Sequence, residues 1–188
     1  RQRTLVALAG TDFPPPAEPP RFNLNLNPFF SFNTEGHSPS RLAWEARRAG
    51  LYAAALCDFD VLDGLEEFLQ AGQACGLRAA VNLETRAFVR EYAQQDINSP
   101  GEPGVTYIMG AGFPRAPAAR TPAAATLAGL RRQAGERNRQ LTQRINASLS
   151  ALALDYNTEV VPLSPGGCPT ERHLVRAYRL KAEAIFPD

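Results

Sequence analysis

Lysine is almost missing from this 188-residue chain, with Lys181 alone against nineteen arginines. Cysteine is scarce as well: Cys57, Cys75 and Cys168 are odd in number, widely spaced and without a Cys-x-x-Cys pair. That pattern excludes a zinc ribbon and a disulfide framework. It points instead to a reduced, cytoplasmic setting. No long hydrophobic run exists; Leu5 to Ala9 is too short for a signal-peptide core or a membrane span. Neither sign of charge dominates. A formal net charge of +1 gives no general reason to expect nucleic acid or a membrane as partner. The glycine cluster Gly110-Ala111-Gly112 lacks the third glycine and following helix of a dinucleotide site, and no P-loop is present.

What is present reads as one medium-sized globular domain behind a leader. Residues 1–21 form the leader or linker, Pro-rich from 12 onward; residues 22–188 form the domain, with an Ala/Pro-rich spacer at 114–126. Phe22 to Leu26 alternates apolar and polar as a short strand does. Ser38-Pro39 combines an N-cap with proline at the first helical position, and Gly50 closes that helix. Leu51 to Cys57 is continuously apolar, as in a strand buried on both faces. Asp63-x-x-Glu66 predicts the next helix start as a capping box, with Leu65, Phe68, Leu69 and Gly72 as its packing stripe and Gly76 as its end. Further strands are expected within 77–88 and 105–113, giving parallel βα units. A long helix follows, with Leu141, Ile145, Leu149 and Leu152 at helical spacing. A final one starts near Thr170, with Leu174, Val175, Tyr178 and Ala182 on a common side. Between 114 and 150 seven arginines face the single acid Glu136, the solvated side of an amphipathic helix or the footprint of a phosphate-bearing partner.

Three ordered motifs carry a family resemblance. Asn25-Leu26-Asn27-Pro28-Phe29-Phe30-Ser31 ends the first strand, Cys57-Asp58-Phe59-Asp60 follows the second, and Leu83-Glu84-Thr85 lies on the third. In order and spacing this series resembles the PHP (polymerase and histidinol phosphatase) family, whose corresponding motifs are His-x-His, Thr-Asp-His-Asp and Gly-x-Glu. Ile97 to Gly104 and Thr170-Glu171-Arg172-His173 are similar to a branch of the same group. The resemblance implies a distorted (β/α) barrel, usually seven-stranded, that hydrolyses phosphomonoesters or phosphodiesters with two or three metal ions. A chain of this length holds the first four or five βα units. The closing strands are therefore expected on a missing C-terminal segment of the same protein, which is a candidate partner.

The resemblance also implies a reduced metal site at Asp58, Asp60, Glu84, Asn25 and Asn27. Asn25 and Asn27 occupy the His-x-His positions, where amide oxygens accept Mg²⁺ more readily than Zn²⁺, or else close strand-end hydrogen bonds. Phe59 replaces the histidine between two acids and cannot ligate a metal. Convergent carboxylates raise one another's pKa unless a cation neutralises them. That cation is a divalent metal (Mg²⁺, Mn²⁺ or Zn²⁺, the hard ions favoured) or Arg86, which clamps a phosphate or pairs with the acids. His37 and His173, the two histidines, complete the candidate substrate-binding set. Two readings stand side by side: a metal-dependent phosphoesterase acting on a small phosphorylated substrate, and an inactive scaffold or binding module.

Overall fold

The structure, a computed structural model, describes residues 2–187. It is a four-stranded curled sheet, half of a barrel, with helices on its outer face. The strands are β1 (Phe22–Leu26), β2 (Ala53–Phe59), β3 (Arg78–Phe88) and β4 (Val105–Gly110), in that spatial order. β1, β2 and β3 are parallel, joined by the helices α2 (Pro39–Arg48) and α3 (Leu65–Cys75). Helix α1 (Gln2–Ala9) precedes them; α4 (Pro122–Ser148) and α5 (Glu171–Ile185) follow.

The local signals explain most of these elements. The Ser38 side chain accepts from the Arg41 N–H at the start of α2, and Gly76 closes α3 in the left-handed conformation. Leu65, Phe68, Ala71 and Gly72 turn one face of α3 onto the sheet. There they meet Leu42 and Ala43 of α2, Ala54 and Leu56 of β2, and Val81 and Leu83 of β3 in the main core. A second cluster joins Leu174 and Ala177 of α5 to Leu154, Tyr156 and Val160 of the preceding irregular segment.

Five expectations change. Residues 12–21 are irregular as read, but the leader also carries α1, which docks Leu5 and Leu8 on the core. α3 starts at Gly64 with no side-chain cap, because Asp63 pairs with Arg131 instead. β4 runs antiparallel to β3, so the pair forms a long hairpin rather than another βα unit. Its connection holds one short 3₁₀ turn, Arg90–Tyr92, and Pro100, Gly101, Pro103 and Gly104 disfavour a crossover helix there. α4 begins within the expected spacer and buries Ala134, Asn138 and Thr142, while Leu149 and Leu152 lie beyond its end. On α5 Leu174 is buried but Val175 is 69% exposed. No described helix is long and apolar enough to cross a membrane.

Candidate functional site

Side-chain alternation in β2 and β3 decides which groups reach the inside of the curl. Ala54 and Leu56, like Val81 and Leu83, face the helices. Asp58 shares their parity, while Cys57, Phe59, Asn82, Glu84 and Arg86 take the other face. Asp58 is accordingly sealed at 1% exposure. Its Oδ1 accepts from Ser31 Oγ at 2.6 Å, and Oδ2, close to Gly64 and without a protein partner, is buried too. Burial pushes its pKa up to about 7 against the opposing Ser31 bond. Asp60 would continue the Asp58 face in a regular strand, but β2 has ended. Its backbone is left-handed (φ 60°), which swings its carboxylate round to the inside, beside Phe59.

A cavity of about 340 Å³ lies at the C-terminal ends of β2 and β3. Asp60, Glu84 and Arg86 line it from the sheet with Phe59 and Tyr107; Ala134 and Arg137 come from α4; Cys168 to Arg172 close it from the start of α5. Asp60 Oδ1 accepts from Thr85 Oγ1 at 2.6 Å, and Arg137 approaches Oδ2 at 4.0 Å. Burial raises the Asp60 pKa, with Thr85 and Arg137 opposing. Glu84, opposite Phe59 in the β2–β3 register, has no hydrogen-bond or ion-pair partner for its carboxylate among the described residues, and burial raises its pKa too. Arg86 is held by Glu102 and, at 3.4 Å, by Glu171. The Nε of Arg137 is buried without a partner.

The remaining candidates lie elsewhere. Asn27 donates to the Cys57 carbonyl at 2.6 Å, tying β1 to β2, and Asn25 is exposed on β1. His37 sits in a turn held by the Asn33 side chain, outside the cavity lining. His173, 2% exposed, accepts the Thr170 N–H at 3.0 Å through Nδ1 and bonds the Phe29 backbone. Burial drives its pKa down to about 4, so it is a neutral peg fixing α5 to the Phe29–Ser31 turn. Cys57 is pushed up to about 11 by burial and the nearby acids, which makes it an unreactive thiol. Arg137 and Tyr107 were not singled out from sequence, and Arg172 entered only as a member of the 170–173 motif. Nothing in the arginine-rich stretch marks Arg137 apart from its neighbours, and Tyr107 becomes visible only through its register opposite Arg86.

A divalent ion finds a narrow donor set here. Among the described residues no group of three or more His, Cys, Asp or Glu side chains is placed to hold a metal. Zinc takes three or four protein ligands, more than these described residues bring together. A hard ion such as Mg²⁺ is content with one or two carboxylates plus water and substrate oxygens, and Asp60 and Glu84 are the two carboxylate residues that the sheet contributes to the lining.

Two solved structures resemble the chain. One, from Bifidobacterium adolescentis, is provisionally described as a metal-dependent phosphoesterase; it is 20% identical over 91% of this chain and 56% of its own, with a TM-score of 0.63. The fold is shared. The other is an amidohydrolase from Chromobacterium violaceum with bound sulfate and no metal, 18% identical over 89% of this chain and 51% of its own, at a TM-score of 0.56. The chain thus spans about half the length of the solved structures it matches. No family model matches the sequence, and no match was found among curated proteins.

Proposed function

We propose that the chain is the front part of a PHP-type barrel that binds a small phosphate ester in the 340 Å³ cavity and hydrolyses it with a hard divalent ion. The reading is carried by one observation: Asp60, Glu84, Arg137 and Arg172 line one cavity at the strand ends. In α/β folds ligands bind at such carboxyl ends. The two similar structures, described as a phosphoesterase and a sulfate-bound amidohydrolase, support it.

Asp60 and Glu84 would hold the ion, which when bound would supply Lewis-acid polarisation of a phosphoryl oxygen and a more acidic water. Arg137 and Arg172 offer charge-assisted hydrogen bonds to the phosphate oxygens. Arg86, engaged by Glu102 and Glu171, acts as a strut between the β3–β4 connection and α5. The strands that complete such a barrel would pair along β1 and β4 and bring further ligands. A C-terminal segment of the same protein is the partner this reading calls for.

Calorimetric titration with Mg²⁺, Mn²⁺ and Zn²⁺ tests the proposal. About one equivalent of Mg²⁺ or Mn²⁺ should bind, Zn²⁺ no more tightly, and Glu84→Gln should abolish binding and phosphate release together. Folded protein that takes up no divalent ion and releases no phosphate would sink the hydrolase reading. Phe59 in the cavity wall and the amide of Asn27 spent on β2 favour a second reading, a binding module. In that case a phosphate ester binds equally well with and without chelator and is never turned over.

A further inference from the structure

The cavity is lined by apolar as well as charged side chains. Phe59, the last residue of β2, and Tyr107 of β4 meet edge to face, with ring centroids 6.3 Å apart and planes at 77°. Both rings are half-buried and line the cavity. The Arg86 guanidinium lies over the Tyr107 ring, 5.7 Å from its centroid, and Arg86 is itself pinned by two glutamates. Ala134 and Pro169 add apolar surface to the lining. A bare phosphate would leave this wall facing water, whereas a ring laid against it gains contact area and edge-to-face geometry.

We infer that the ligand of this cavity is a small amphiphilic anion, a phosphate ester of a planar ring, with the ring on the Phe59–Tyr107 wall and the phosphate towards Arg137 and Arg172. The inference rests on the phosphate-ester reading above and adds the class of alcohol that is esterified. Phe59 and Tyr107 are the specificity-determining residues. Phe59 precedes Asp60 in the chain and both line the cavity, so a ring held at Phe59 keeps its ester bond within the same pocket as the Asp60 carboxylate.

The test compares three probes by calorimetry, in chelator and again with Mg²⁺: inorganic phosphate, glycerol 2-phosphate and phenyl phosphate. Phenyl phosphate should bind roughly tenfold tighter than glycerol 2-phosphate, as one added aromatic contact provides. Phe59→Leu, which nearly keeps volume, and Tyr107→Leu should each remove most of that preference; two variants guard against one failing to fold. Equal affinity for the two esters in the wild-type protein, or a preference untouched by both variants, overturns the inference. If inorganic phosphate binds while phenyl phosphate is not preferred, the ring is refuted and the phosphate site stands. Preferred binding of phenyl phosphate without turnover or metal uptake supports the ring and refutes the hydrolase. No binding of any probe overturns both.

Discussion

Asp58 continues the parity of Leu56, and that alone removes it from the cavity. The sequence places Asp58 and Asp60 two residues apart, which in a strand means one shared face; the left-handed backbone at Asp60 breaks the alternation at the last step. A φ value at one residue is beyond what spacing can reveal, so Asp60 and Glu84 come together while Asp58 does not. Asp58 is also costly. Its folded pKa of about 7 lies above the ordinary 3.8, so the stability it contributes is full below about pH 4 and is lost as pH rises through about 7. Asp58→Asn should therefore stabilise the protein at pH 8, on the order of 4 kcal/mol at most, and the gain should vanish near pH 4. Urea unfolding of both proteins at the two pH values measures this. A gap independent of pH would show that Asp58 is not the titrating group.

Among the elements, those with their own punctuation were legible. Ser38-Pro39, Gly50 and Gly76 bracket α2 and α3, and the continuous apolar run announced a buried strand. The direction of β4 was not, because the 89–104 connection is long enough for a crossover helix and only its composition argues otherwise. The buried face of α4 was hidden for another reason. Asn138 and Thr142 are polar, and their burial depends on hydrogen bonds to the Pro169 and Asn138 carbonyls, which no hydrophobic pattern shows. Packing of α3 on β3 yields a sharper expectation. A Cβ on Gly72 would lie 2.5 Å from the Ala79 Cβ. Gly72→Ala, favourable in an isolated helix, should here destabilise by about 1–3 kcal/mol. Thermal unfolding checks the sign, and a stabilised variant would mean that α3 can lift from the sheet freely.

At the scale of the molecule, the sheet has two open edges. Among the described residues β1 pairs only with β2, and β4 only with β3. Phe22 and Leu24 on β1 are 66% and 48% exposed, and Ile108 and Met109 on β4 are about as open. Such edges invite pairing with another chain. Leu24→Lys should reduce self-association and hydrophobic-dye binding while shifting stability by no more than about 0.5 kcal/mol; sedimentation at several concentrations and a melting curve test both halves. The Phe29–Ser31 turn has a longer reach than its three residues suggest, because Ser31 holds Asp58 and the backbone of Phe29 holds His173. Around pH 5 folding takes up a proton at Asp58 and releases one from His173, since folding carries the first pKa up across that pH, from 3.8 to about 7, and the second down across it, from 6.5 to about 4. For this pair the exchange of hydrogen ions with the solvent largely cancels near that pH. Their share of the unfolding heat is therefore nearly the same in acetate as in a buffer of high ionisation enthalpy.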